Sequence, residues 1–94
     1  MSHDKFKSRR MDSNTEIMEH KVFFGDVPAM MELWVWDGFS GSSVVFHKDD
    51  VKNTSERDLI EIVFEHIKEP IDPKCKVKIS DEFLFVTFGV KATT

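Results

Sequence analysis

The 94-residue sequence predicts an α+β fold in which an antiparallel sheet of about five strands carries one helix on one face. Residues 83–90, FLFVTFGV, are apolar on both alternating faces and contain no charge or proline, which is typical of a strand inside a sheet. Residues 54–69 instead have the spacing i, i+3, i+4, i+7 of an amphipathic helix, formed by Ile60, Val63, Phe64 and Ile67. Leu59 and Ile62 widen this apolar stripe.

The remaining patterns give the chain order β-β-β-α-β-β. The predicted elements are strands over 17–24, 31–36 and 43–47, a helix over 54–69, and strands over 76–80 and 83–90. Short connections join the first three strands and the last two, so these neighbours are expected to pair antiparallel.

Glycine and proline define the predicted connections. Gly25 to Pro28 is expected to close the first strand, because Gly25 permits a turn and Pro28 has no N–H to donate. Residues 37–42, DGFSGS, predict a glycine-rich connection longer than a two-residue hairpin, with Phe39 at its tip. The polar residues 48–50 are expected to end the third strand.

The helix has start and stop signals. Asn53, Thr54 or Ser55 can cap it, and Asn53 has capping-box spacing to Glu56. Pro70 is expected to end it, because a proline disfavours helical conformation at the preceding residue.

Composition indicates one small domain. With 40% hydrophobic and 32% charged residues, the chain is expected to be ordered, and no apolar run approaches the ~20 residues that cross a bilayer. No apolar stretch follows the basic N-terminal residues, so no secretory signal is predicted. The single cysteine, Cys75, cannot form an internal disulfide, and this favours a cytoplasmic location.

Charge divides the chain into two predicted parts. Residues 1–10 carry +3, from Lys5, Lys7, Arg9 and Arg10 against Asp4, whereas the whole chain carries −4 and residues 11–94 therefore carry −7. Residues 1–16 are predicted to be a flexible basic arm and residues 17–94 a single α+β domain. The arm is either a frayed terminus or a segment that contacts nucleic-acid phosphates.

The sequence contains no pattern typical of a catalytic or metal site. His20, His47, Asp49, Asp50, His66 and Cys75 are possible metal ligands. Zinc sites usually show closely spaced Cys and His pairs, and none occurs here, so neither a metal nor a cofactor is expected. A Cys75–His66 nucleophile and base lacks a third orienting group, which makes Cys75 more plausible as a structural thiol. We therefore predict that the protein is not an enzyme.

A single helix covers only one face of the predicted sheet, which leaves apolar side chains on the other face. A second copy, the folded-back residues 1–16, a protein partner or stacked nucleic-acid bases could cover them, or sheet curvature and long side chains could close this face. Trp34 and Trp36 share a strand face with Glu32 and lie near Phe39, and tryptophan is enriched where binding energy concentrates. These four residues are the predicted partner-binding set. If the tryptophans instead lie under the helix, Met31, Leu33 and Val35 face outward.

The predicted function is that of a non-enzymatic protein-binding module that covers a surface of a macromolecular partner, as an inhibitor or adaptor, or that forms a homodimer. Small acidic domains of this kind are common among phage and mobile-element products that block host machinery, which is an analogy of class only. The alternative is a single-stranded nucleic-acid binder that stacks bases on sheet aromatics and places Lys5, Lys7, Arg9 and Arg10 on the backbone. The acidic body opposes this alternative, and nothing indicates a membrane partner.

Overall fold

The computed structural model describes His3, Phe6 and residues 16–93. Its elements are β1 (Glu16–Phe24), β2 (Val27–Trp36), β3 (Phe39–His47), α1 (Lys48–Val51), α2 (Glu56–Ile67), β4 (Lys76–Ser80) and β5 (Phe83–Ala92). The strands form one antiparallel sheet in the order β1-β2-β3-β5-β4, with α2 packed on one face. The predicted α+β fold class is confirmed.

The strand over 83–90 lies inside the sheet, as predicted, between β3 and β4. Phe83, Leu84 and Val86 are buried, but Val90 is exposed. Between the pairs Ser42–Phe88 and Ser40–Lys91, the two β5 residues Gly89 and Val90 lie opposite the single β3 residue Gly41, and Gly89 in this bulge has φ of 65°. The bulge interrupts the predicted alternation, so Val90 no longer shares a face with Phe88.

The connections predicted at residues 25–28 and 37–42 are both longer than the turns in the structure. Asp37 and Gly38 have φ of 51° and 80° and form a two-residue turn, so β3 begins at Phe39 instead of at 43. Two central residues with positive φ match the twist of a tight hairpin, and Asp-Gly is a favoured pair for such a turn. The first turn contains only Gly25 and Asp26, and Pro28 lies within β2 opposite Phe23.

The helical region has two parts. Ser55 caps α2, because its Oγ accepts a hydrogen bond from the Asp58 N–H at 3.1 Å. The helix ends at Ile67, followed by Lys68 in the left-handed region with φ of 59°, two residues before Pro70. The polar run at 48–50 also begins a four-residue helix, α1, which was not predicted.

The main core lies between α2 and the sheet. Its buried members are Ala29, Val44, Phe46, Val51, Leu59, Val63, Leu84 and Val86. We call this side of the sheet the helix face and the opposite side the second face. By strand alternation, Met31, Leu33 and Val35 lie on the helix face, whereas Trp34 and Trp36 lie on the second face.

Among the described residues, no helix is both long enough and apolar enough to cross a membrane.

Candidate partner-binding surface

The sheet extends beyond the region that α2 covers. On the helix face, Met18 is 63% exposed, Leu33 54% and Val35 43%, although all three are apolar. We define the free end of the sheet as residues 33–36 of β2 and 39–42 of β3, with the adjacent ends of β1 and β5. Contiguous exposed apolar side chains of this kind are typical of a surface that contacts another molecule.

A groove of about 810 Å³ runs along the helix face of the free end, next to the C-terminal end of α2. Its apolar lining is formed mainly by Met18, Met31, Leu33, Val35, Ile67 and Phe88. His20, Glu69 and Lys91 place polar groups along the same groove. The groove can therefore bind an apolar side chain, and charged groups of this chain lie beside the bound side chain.

The second face of the free end carries an exposed aromatic pair. Trp36 and Phe39 pair across the Asp37–Gly38 turn and are each 48% exposed. Val90 is equally exposed. We call Trp36, Phe39 and Val90 the tip cluster. Directly paired side chains on one face of a sheet have Cβ atoms about 5 Å apart, so Trp36 and Phe39 present a joint aromatic surface.

The Trp34 side chain is fixed by contacts within the sheet and is less exposed than that of Trp36. Its Nε1–H donates to Ser43 Oγ at 3.0 Å, and Ser43 Oγ lies 3.0 Å from Thr87 Oγ1, so the bonds cross β2, β3 and β5. The indole lies over Gly41, where a β-carbon would come within 2.5 Å of its Cζ2 atom. Trp34 therefore supports the free end from the second face.

The structure separates the predicted binding set of Glu32, Trp34, Trp36 and Phe39. All four lie on the second face, but only Trp36 and Phe39 are strongly exposed, and Glu32 is 4% exposed. Sequence reasoning did not single out Met18, Val90 or the bulge at Gly89. Strand alternation places Met18 on the helix face together with Leu33 and Val35. That α2 leaves all three side chains uncovered follows only from the length of the helix.

Phe6 covers part of the second face. Phe6 is buried against Met30, Val45 and Phe83. Its ring centroid lies 5.6 Å from that of Phe83. The folded-back residues 1–16 were one of the predicted covers, and of these residues Phe6 covers the side of the face away from the tip cluster. The predicted nucleic-acid contacts Lys5, Lys7, Arg9 and Arg10 lie outside the described residues.

The titratable groups at the end of β3 have structural contacts. The His47 side chain is buried, and its Nδ1 accepts a hydrogen bond from the Asp49 N–H at 3.2 Å, which caps α1. Its Nε2 lies 3.7 Å from a Glu82 carboxylate oxygen. Within the described part of the chain, no three His, Cys, Asp or Glu side chains gather into a group that could hold a metal ion.

Among the described residues, the two groups with perturbed pKa values, Asp72 and Cys75, lie in the loop before β4. Burial, followed by the nearby Asp72 charge, raises the pKa of the Cys75 thiol, which disfavours the thiolate that a nucleophile needs. The His66 ring packs against Phe24, with centroids 4.7 Å apart. Backbone N–H groups of Lys74 and Gly89 donate to the Asp72 carboxylate and lower its pKa. Asp72 thereby ties this loop to the bulge in β5.

Comparisons of the chain with protein-family models, curated proteins and solved structures find no match.

Proposed function

We propose that this chain is a non-enzymatic protein-binding module that inserts the free end of its sheet into a cleft of a protein partner and so covers part of the partner's surface. The observation that carries the proposal is the exposure of apolar side chains on both faces of the free end. Leu33 and Val35 are open on the helix face, and Trp36 and Phe39 are open on the second face.

The tip cluster has the chemistry of a binding anchor. Tryptophan and other aromatic side chains lose little conformational entropy for the large area they bury, and they dominate the energetics of many interfaces. Trp36 and Phe39 are also held at the end of a two-residue turn, so their backbone is ordered before contact. Pre-organised anchors reduce the ordering cost of binding.

Side-chain hydrogen bonds on the second face keep this anchor rigid. The Trp34–Ser43–Thr87 hydrogen bonds join three strands directly behind the tip cluster. A rigid sheet end that is one layer thick is suited to enter a cleft, where the partner would contact the groove on one side and the tip cluster on the other. Binding there would keep other molecules out of that cleft, which is how an inhibitor acts.

Single-stranded nucleic acid is the second candidate function, favoured by the exposed pair Trp36 and Phe39, since bases stack on such side chains. Residues 11–94 carry −7, which repels phosphates. A protein partner therefore fits the surface better.

The test is co-purification from the source organism with the full chain and with a Trp36→Ser/Phe39→Ser variant as bait. We expect the wild-type chain to retain a protein that the variant loses, while circular dichroism shows an unchanged fold. Ile71→Ser is the matched control, because Ile71 is 53% exposed but lies in the loop before β4. It should retain the same protein.

The proposal is wrong if every protein retained by the wild-type chain is also retained by the Trp36→Ser/Phe39→Ser variant. Titration of a labelled single-stranded oligonucleotide at low salt tests the second candidate. Binding that requires Trp36 and Phe39 and weakens steeply with salt would favour the nucleic-acid function instead.

A further inference from the structure

Phe6 occupies a pocket on the second face of the sheet. Its side chain is 9% exposed, and the side chains clustered around it, which we call the Phe6 pocket, are Met30, Val45, Phe83 and the partly buried Phe85. The rings of Phe6 and Phe83 are tilted with their centroids 5.6 Å apart, within the favourable range for an aromatic pair. The pocket therefore holds one aromatic ring in apolar contact.

His3 makes a second contact with the sheet, through a shared hydrogen bond. Its Nε2 lies 2.9 Å from the backbone oxygen of Val22 and 3.0 Å from that of Ala29. Because carbonyl oxygens only accept hydrogen bonds, Nε2 carries the proton and donates it to both. The His3 ring also meets the Phe23 ring edge to face, with centroids 4.7 Å apart. This part of the second face therefore recognises a hydrogen-bond donor as well as an aromatic ring.

One turn of the chain carries both contacts. The Phe6 N–H donates to the His3 oxygen at 3.1 Å, and the two ring centroids are 6.0 Å apart. We call this the N-terminal turn. The contacts of its two residues with the sheet are made by side chains, and neither residue lies in one of the strands β1 to β5. The N-terminal turn thus contacts the sheet as a bound peptide would, although it belongs to the same chain.

We propose that the Phe6 pocket is a peptide-binding site, and that a segment of a protein partner, with a phenylalanine three residues after a histidine, takes the place of the N-terminal turn. Release of Phe6 without a replacement would expose Met30 and Phe83 to water, which is unfavourable. A segment with the same two side chains would cover the same apolar surface and donate to the same two oxygens. The N-terminal turn therefore acts as a competitor that the partner must displace.

The covalent connection sets how strongly the N-terminal turn competes. Nine residues, 7–15, separate Phe6 from the start of β1. Contacts joined by a linker of this length form at an effective concentration of about millimolar. A free peptide must reach a similar concentration to displace the N-terminal turn of the wild-type chain. It should bind at lower concentration to a chain whose own turn has lost its contacts.

The Phe6 pocket is separate from the tip cluster. Met30 and Trp36 both lie in β2, and their separation in sequence corresponds to about 20 Å along the strand. A partner held at the tip cluster would present a second segment to the pocket at a raised effective concentration. That link rests on the proposed function, whereas peptide binding at the pocket does not, so the two can fail separately.

The test is titration of a labelled peptide of residues 1–8, MSHDKFKS, with three full-length proteins: the wild type, His3→Ala and His3→Ala/Phe6→Ala. The double variant should bind the peptide about tenfold or more tightly than the wild type, because its own turn no longer competes. His3→Ala should fall between them, since it keeps Phe6 but loses the bond to both oxygens. His3 is only partly buried, so this single variant still gives a result if the double variant does not fold.

Two phenylalanines provide matched variants that locate the bound peptide. Phe23 and Phe39 both lie on the second face and are each 48% exposed, but Phe23 contacts His3, whereas Phe39 belongs to the tip cluster. In the His3→Ala background, Phe23→Ser should raise the peptide dissociation constant about fivefold. Phe39→Ser should leave it unchanged. A peptide carrying Phe6→Ala should bind none of the proteins.

A second copy of the chain also contains the required segment, and sedimentation equilibrium tests this occupant. A wild-type dimer that Phe6→Ala abolishes would assign the pocket to the N-terminal turn of another copy and overturn the assignment to a partner. The proposal is equally overturned if the peptide binds neither variant at millimolar concentration, if it binds the wild type as tightly as the variants, or if Phe39→Ser weakens binding and Phe23→Ser does not.

Discussion

Replacing Gly41 by alanine tests the packing that supports the free end. A β-carbon at Gly41 would lie 2.5 Å from Cζ2 and 3.0 Å from Cε2 of Trp34, which is too close for carbon atoms. Both are ring atoms of an indole that is fixed by its bond to Ser43. The indole must therefore move off the strand, and it cannot do so and keep that hydrogen bond.

The magnitude follows from three contributions. Forcing an extra methyl into a packed site costs about 1–3 kcal/mol, and loss of the Trp34–Ser43 hydrogen bond costs about 1 kcal/mol. Replacing glycine stabilises the folded state by about 0.4–1 kcal/mol, because the unfolded chain loses freedom. The indole is only half-buried and can relax outward, so we expect a net loss of about 1–2 kcal/mol. In a domain of this size, that lowers the Tm by about 5–15 °C.

Thermal unfolding followed by circular dichroism measures this loss, and the indole N–H resonance of Trp34 reports the broken hydrogen bond. The control is the same substitution in a Trp34→Ala background, where Gly41→Ala should be neutral or stabilising because nothing occupies the space above it. If Gly41→Ala leaves the wild-type Tm unchanged or raises it, the indole does not lie over Gly41, and our account of the rigid free end is refuted.

Two further predictions concern the N-terminal cover and the loop before β4. Phe6→Ala should destabilise the fold by up to about 3 kcal/mol and increase binding of a hydrophobic dye, because it uncovers Met30 and Phe83; unchanged unfolding and dye binding would show that Phe6 does not cover this face. The lowered pKa of Asp72 means that its ionised form stabilises the fold above the ordinary aspartate pKa, and that this contribution disappears as the pH falls through the lowered value. Asp72→Asn should therefore lower the Tm at neutral pH, with the difference from wild type shrinking below about pH 4; a constant difference would contradict this contribution.

The sequence predicted the elements whose patterns are local. The alternation in 83–90 and the 3.6-residue spacing in 54–69 identified β5 and α2, because burial on a sheet or under a helix imposes those periods directly. The same reasoning missed the start of β3. Residues 39–42 contain two serines and Gly41, which resemble a loop in composition, but Gly41 is in the strand because Trp34 on the neighbouring strand occupies its side-chain space.

The candidate surface was only partly predictable for a related reason. Alternation placed Trp34 and Trp36 on one face together, but it could not decide whether that face lies under the helix. The outcome depends on which residues of β5 and β3 become neighbours in the sheet, and those contacts join positions more than 40 residues apart, as in the Ser43–Thr87 bond. Phe6, which covers part of the second face, is even more remote in sequence from its contact Phe83.

The exposure of the free end follows from a mismatch in element length. The twelve residues of α2 span about 18 Å, whereas the ten residues of β2 span about 33 Å. Ser55 and Lys68 fix the ends of the helix, while the Asp37–Gly38 turn lets β2 and β3 continue past it. A strand end left in water could carry polar residues on the helix face, as β3 does at Ser40 and Ser42. Their partners across the ladder are Val35 and Leu33, which are apolar and exposed. Such residues add nothing to the core under α2, so their exposure supports the proposed contact with a protein partner.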